Sequence, residues 1–126
     1  MRAALLVACG GAVGSVLRYW GQLGIERWTG VAFPWGTLAV NVLGSFVIGV
    51  VAGLTGPGGR FDGDGELRLL AMVGLCGGFT TFSSFSLQTL QLLRSGDTAA
   101  ALANVAGSVV LCLLATSIGV ALFIRG

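Results

Sequence analysis

The stretch "GLCGGFTTFSSFSLQTLQ", residues 74–91, combines adjacent glycines with a run in which hydroxyl side chains alternate with phenylalanines. Each glycine in a helix interior costs about 1 kcal/mol relative to alanine. In a bilayer, an unwound backbone is tolerated only where the carbonyl groups it frees find partners. The stretch therefore predicts a membrane-spanning helix that is broken between Gly77 and Thr81 and that then presents Phe82 and Phe85.

The rest of the chain has the composition of a membrane protein. Its 126 residues are 55% hydrophobic and 10% charged, and the mean hydropathy is +0.92. A soluble domain of this length needs a more charged surface. Four apolar stretches are long enough to cross a bilayer as helices. We predict an all-α membrane protein in which residues 1–126 form one four-helix transmembrane domain, with spans at roughly 3–23, 33–54, 67–93 and 98–124.

The charged residues give only a weak preference for membrane orientation. With four spans, both termini and the second loop lie on one side, together with four of the seven basic residues, all of which are arginines. Cytoplasmic loops normally carry the excess of basic residues, so this division predicts little preference. The chain can therefore insert both ways and form an antiparallel dimer, although a single end can also set one orientation. The side with both termini and the second loop carries Arg2, Arg60, Arg68 and Arg125. The other side carries Arg18, Arg27 and Arg94.

Polar residues recur at helical spacing inside the predicted spans, where each set lines one helix face. Such side chains often join helices by hydrogen bonds of about 0.6 kcal/mol each. They can equally line a path for an ion, and the spacing alone leaves both interpretations open. The sets are Thr37, Asn41 and Ser45 in the second span and Asn104, Ser108, Cys112 and Thr116 in the fourth.

The chemistry of these polar residues suits an anion better than a cation. Hydroxyl and amide groups can donate hydrogen bonds, and a phenylalanine ring is positive at its edge. No predicted span carries a carboxylate in its interior. Arg18, near the end of the first span, either draws anions toward the protein or extends to the interface, and the two readings have similar weight.

Two further classes of function compete with an anion pathway. A small dimeric four-span multidrug or cation exporter requires a carboxylate within the membrane, and only Glu26, in a polar stretch, comes close. A membrane scaffold without transport requires only that the polar residues join helices. The chain has no histidine, no paired buried acids and no phosphate-binding loop, so no enzyme is predicted, and no nucleic-acid partner is expected.

Three motifs in order resemble one known family. The segments "GAVGSVLRYW" (residues 11–20), "GTLAVNVLGSF" (residues 36–46) and "GGFTTFSSFS" (residues 77–86) closely resemble the Fluc (CrcB) family of fluoride channels. The resemblance covers nearly the whole chain in the number, order and length of the spans. It implies an antiparallel, dual-topology homodimer in the bacterial plasma (inner) membrane, with two pores for the passive export of fluoride.

The resemblance also implies a role for particular residues. A structural Na⁺ at the dimer centre is expected to be held by the backbone carbonyls of Gly77 and Thr80 from both subunits. The pore residues implied are Phe82, Phe85, Asn41, Ser83, Ser84, Ser108, Thr37 and Arg18. This chain departs from some members at Gln88, where they have glutamate, at Asn104, where they have tyrosine, and at Cys112, where a serine occurs.

Overall fold

In the computed structural model, which describes residues 1–124, the chain forms four apolar helical spans joined by loops. Each span is long enough to cross a membrane, and the four have mean hydropathies between 1.4 and 2.1. The prediction of an all-helical, four-span membrane protein is confirmed. Arg125 lies outside the described residues. The spans are Arg2–Thr29, Trp35–Thr55, Gly65–Arg94 and Thr98–Ala121.

The third span consists of several helical segments and one non-helical link. The segments are Gly65–Leu67, the π-helix Arg68–Cys76, Gly77–Phe79 and Phe82–Arg94. Between the last two segments, Thr80 and Thr81 have an extended backbone. The φ and ψ angles are −86° and 156° at Thr80, and −148° and 110° at Thr81. Adjacent glycines and β-branched threonines are poor helix formers, which accounts for the end of the helix here. We refer to these two residues as the Thr80–Thr81 link.

The helix after the link begins with a side-chain cap. Thr81 Oγ1 accepts a hydrogen bond from the Ser84 N–H at 3.1 Å. A threonine is favourable at this position because its oxygen satisfies one of the N–H groups that the first helical turn leaves free. The cap sets Phe82 as the first residue of the helix, and so determines where the rings of Phe82 and Phe85 project.

The first and third spans approach each other closely through glycines. A Cβ atom added at Gly10 would lie 2.8 Å from the Leu75 nitrogen, and one at Gly14 would lie 2.9 Å from the Phe79 nitrogen. These separations are shorter than real Cβ contacts, so the two backbones pack directly on each other. This packing places the first span beside the Thr80–Thr81 link.

The second and fourth spans form a similar pair. A Cβ at Gly53 would lie 2.8 Å from the Val120 oxygen, and one at Gly119 would lie 2.8 Å from the Val50 nitrogen. Thr116 Oγ1 also donates a hydrogen bond across this pair, to the Ser45 carbonyl at 3.0 Å. The chain is thus two close-packed helix pairs, with most large apolar side chains on the outside. An outer surface of this kind is expected for a multi-pass membrane protein.

The close approach at Gly14 gives a stability prediction. Replacing Gly14 by alanine forces the first span away from Phe79 and should lower the free energy of unfolding by about 1–3 kcal/mol, the usual cost of overpacking. The control is Gly24→Ala in the same helix, where an added Cβ meets nothing within 4 Å. Because alanine is the better helix former, that change should raise stability by roughly 0.5–1 kcal/mol.

The measurement is the denaturant or thermal unfolding of both variants in the same detergent. Equal stabilities for Gly14→Ala and Gly24→Ala would contradict the direct backbone packing of the first and third spans.

Candidate functional site

A groove of about 490 Å³ runs past the Thr80–Thr81 link, between the second, third and fourth spans. We call it the central groove. Its polar and aromatic lining brings together six of the predicted site residues, while its remaining lining is mostly apolar. The other four, Arg18, Thr37, Ser83 and Ser84, do not line it. The six that do are Asn41, Gly77, Thr80, Phe82, Phe85 and Ser108.

Two phenylalanine rings stand at the edge of the central groove. The ring centroids of Phe82 and Phe85 are 5.3 Å apart, with the ring planes tilted by 45°. Phe82 is 79% exposed, although it borders a groove that is otherwise formed within the chain. Both rings therefore border the groove, and the ring of Phe82 is accessible from its open side.

Asn41 forms two hydrogen bonds to a single residue of the link. Its Nδ2 donates to the Thr81 carbonyl at 3.1 Å, and its Oδ1 accepts from the Thr81 N–H at 2.7 Å. In an uninterrupted α-helix the Thr81 N–H would instead donate to the Gly77 carbonyl. The side-chain amide of Asn41 thus takes the place of the helical backbone hydrogen bonds of Thr81, where the helix is interrupted.

Arg18 also contacts the third span beside the link. Its Nε donates to the Gly78 carbonyl at 2.9 Å, and the side chain is half-buried. The bond is possible because the glycines of the first and third spans bring the two backbones close together. Arg18 thus binds the third span two residues before the Thr80–Thr81 link.

The carbonyl oxygens of Gly77 and Thr80 accept no hydrogen bond from any residue that the structure describes. The N–H groups that would reach them in a helix belong to Thr81 and Ser84, and these donate to Asn41 and to Thr81 Oγ1. Within residues 1–124 no cluster of histidine, cysteine or acidic side chains is able to hold a metal. Unpaired backbone oxygens of this kind fit a hard cation such as Na⁺.

The fourth span is connected to the helix after the link by a chain of hydrogen bonds. Ser108 Oγ donates to Asn104 Oδ1 in a long bond of 3.4 Å, and Asn104 Nδ2 donates to Thr89 Oγ1 at 2.9 Å. Thr89 Oγ1 in turn donates to the Phe85 carbonyl at 2.7 Å. Asn104 is 1% exposed, so this chain of bonds is internal. Thr89 is not among the residues predicted from the sequence, although its position four residues after Phe85 indicates a shared helix face.

Thr37, Ser83 and Ser84 lie near the groove without lining it. Thr37 is buried and its hydroxyl accepts a hydrogen bond from Gln22 Nε2 at 3.0 Å, which joins the first two spans. The Ser83 hydroxyl is 3.3 Å from Thr81 Oγ1, and Ser84 is held through its backbone by the same oxygen. Gln22 is a second residue that was not predicted from the sequence, because a hydrogen-bond partner on another span leaves no periodic signal.

A second cavity, of about 330 Å³, lies between the loop after the first span and the end of the third. Its polar lining includes Glu26, Gln88, Gln91 and Ser95. The Oε1 atom of Gln88 is buried there without a hydrogen-bond partner among the described residues. Gln88 and Gln91 continue, at three-residue spacing, the line of Phe82 and Phe85 on the same helix.

Comparison with known proteins matches residues 5–120 to the family described as "CrcB-like protein, Camphor Resistance (CrcB)". Several curated relatives carry the name "Fluoride-specific ion channel FluC". The one from Rhodospirillum rubrum is 56% identical over 115 residues, covering 91% of this chain and 89% of the relative. The one from Paramagnetospirillum magneticum is 55% identical and covers 90% of this chain and 89% of the relative. The one from Methylocella silvestris is 52% identical and covers 91% of this chain and 88% of the relative.

The family match reaches all four spans and includes the three motifs that suggested the resemblance. The resemblance predicted from the sequence is confirmed, and the chain belongs to the CrcB family.

Proposed function

We propose that this protein is a fluoride-selective ion channel that gives passive export of cytoplasmic fluoride across the bacterial plasma (inner) membrane. The observation that carries the proposal is the central groove, which gathers Asn41, Phe82, Phe85 and Ser108 beside the Thr80–Thr81 link. Relatives that are 56% and 55% identical over 115 and 114 aligned residues are named fluoride-specific ion channels. The link is, in this proposal, the functional break of the third helix.

The groove supports anion passage through weak and repeated contacts. A permeating fluoride must exchange hydration water for protein donors, and it must bind weakly enough to leave again. The edges of Phe82 and Phe85 supply CH groups with a small positive charge. Among residues 1–124, no acidic side chain lines the groove to repel an anion. The hydroxyl of Ser108 lines the same space, and its one O–H, which donates to Asn104 Oδ1 in a long bond of 3.4 Å, would turn to a fluoride ion to act as a stronger donor.

A second copy of the chain, arranged antiparallel, is part of this proposal. One chain packs as two tight helix pairs and leaves the central groove open at the ring of Phe82, which is 79% exposed. A partner covering that side converts the groove into an enclosed path and shields the polar lining from lipid. The weak arginine bias supports insertion in both orientations, which an antiparallel homodimer requires.

A structural Na⁺ at the dimer centre fits the same geometry. The unpaired carbonyls of Gly77 and Thr80 would hold it, and two antiparallel copies would supply four oxygens in all. A bound Na⁺ supplies the charge compensation that backbone oxygens facing one another across an interface need. This chain contributes the oxygens without any carboxylate, so the site leaves no net negative charge near the anion path.

Removing the ring edges should reduce fluoride transport. We expect Phe82→Ile and Phe85→Ile each to lower fluoride efflux from liposomes by about tenfold or more, equivalent to roughly 1.4 kcal/mol of lost stabilisation. Isoleucine keeps the apolar bulk and removes the polarised edge. The control is Phe61→Ile, in the loop between the second and third spans, which should transport like the unchanged protein.

The variants are compared at equal protein density, with a fluoride electrode and with size-exclusion profiles that verify the oligomer. Undiminished efflux in both groove variants would refute the role of the ring edges.

Sodium should stabilise the assembled protein independently of transport. A cation that binds only the folded dimer adds stability that increases with its concentration, by about 2.7 kcal/mol at a hundred times the dissociation constant. We therefore expect a higher melting temperature in Na⁺ than in K⁺ or N-methylglucamine at equal ionic strength, without fluoride present. Identical melting curves in the three cations would rule out the proposed Na⁺ site.

A further inference from the structure

Side chains of two other spans bind the third span at the Thr80–Thr81 link and two residues before it. Arg18 of the first span donates from Nε to the Gly78 carbonyl at 2.9 Å. Asn41 of the second span binds both the N–H and the carbonyl of Thr81, at 2.7 and 3.1 Å. Both residues were predicted from the sequence as groups that face the anion. In the structure their side chains also bind the backbone of the third span.

We propose that Arg18 and Asn41 are positioning residues that keep the Thr80–Thr81 link extended and thereby determine which carbonyls of the third span stay unpaired. The inference rests on the proposed function only where it gives the unpaired carbonyls and the rings of Phe82 and Phe85 a role in ion binding. The hydrogen bonds that carry it do not depend on which ion is transported.

The pattern of paired and unpaired carbonyls follows from these bonds. In a continuous helix the N–H groups of Thr81 and Ser84 would bind the carbonyls of Gly77 and Thr80. Asn41 Oδ1 takes the first N–H and Thr81 Oγ1 takes the second, so both carbonyls are left free. Asn41 Nδ2 donates to the Thr81 carbonyl, and Arg18 Nε donates to the Gly78 carbonyl. The carbonyls of Gly77, Phe79 and Thr80 remain without a hydrogen bond from any described residue, and of these three residues Gly77 and Thr80 line the central groove.

Loss of either side chain changes the balance between the link and a continuous helix. Without Asn41 the N–H and the carbonyl of Thr81 are both unsatisfied at membrane depth, and rejoining the helix is the nearest way to satisfy the N–H. Without the Nε of Arg18 the Gly78 carbonyl loses a charge-assisted hydrogen bond, which is stronger than a neutral one. In both cases a continuous helix through Thr80 and Thr81, in which the Gly77 carbonyl is paired, becomes more favourable relative to the extended link.

The bond from Nε allows the positioning role of Arg18 to be separated from its charge. Glutamine carries its amide nitrogen at the same number of bonds from Cα as the Nε of arginine, so Arg18→Gln retains a donor at this place without the charge. Lysine retains the charge, but its only nitrogen lies one bond further out. Methionine has a similar length but carries neither a hydrogen-bond donor nor a charge. These three variants at one position form a matched set.

The first measurement is the backbone conformation of the link in bilayers, from the carbon chemical shifts of Thr80 and Thr81 in labelled protein. Arg18→Gln should retain the extended shifts of the unchanged protein. Arg18→Met and Asn41→Leu should move them toward helical values or split them between two states. Thr116→Val, which removes a side-chain bond to the Ser45 carbonyl elsewhere in the bundle, should leave them unchanged.

The second measurement is fluoride efflux from liposomes. We expect a loss of about tenfold in Arg18→Met and Asn41→Leu, the factor associated with one lost hydrogen bond, and a change within about threefold in Arg18→Gln. Arg18→Lys should be impaired despite its charge. A retained fourth-span signal pattern shows that each variant is folded.

Two outcomes would overturn the inference. If Arg18→Lys transports normally while Arg18→Gln is as impaired as Arg18→Met, the charge and not the position of the donor matters. If the shifts of Thr80 and Thr81 stay extended in both Arg18→Met and Asn41→Leu, the link does not depend on these side chains. Absence of fluoride efflux in the unchanged protein would instead count against the proposed function, and the chemical shifts would still test the positioning role.

Discussion

The reciprocal hydrogen bonds between the Asn41 amide and the Thr81 backbone are the interaction on which the rest of the site depends. Inside a bilayer no water is available to satisfy free N–H and carbonyl groups, so a span can leave the helical form only where protein groups replace the ladder. Asn41 does this for the N–H and the carbonyl of one residue. The new helix then starts at Phe82, and the rings of Phe82 and Phe85 stand beside the central groove.

The glycine-mediated packing of the spans is what brings the second side chain, Arg18, within reach of this region. A Cβ at Gly14 would collide with the third span near Phe79, and one at Gly78 would lie 3.1 Å from the Cα of Gly11. Small residues thus allow the helices to approach closely enough for Arg18 to bond the Gly78 carbonyl. Packing and polar recognition are therefore coupled, because the same close approach that excludes lipid also positions a charged donor.

Much of the fold could be predicted from the sequence, and the partners of its polar residues could not. Four long apolar runs with polar loops are enough to indicate four helices, and the motif around Phe82 and Phe85 is specific enough to indicate the family. The contacts of Asn41 with Thr81, of Gln22 with Thr37 and of Asn104 with Thr89 join different helices. Helical periodicity identifies a polar face, but not which group on another helix that face meets.

The central claim, that the groove beside the Thr80–Thr81 link is a path for fluoride, is tested most directly by ion efflux from liposomes that contain the purified protein. Fluoride and chloride are measured in parallel under the same driving force, together with uptake of a quaternary cation. The account predicts fast fluoride release with chloride retained and no cation uptake. Equal release of both anions, coupled cation transport, or no release from protein verified as folded and assembled in Na⁺ would contradict it.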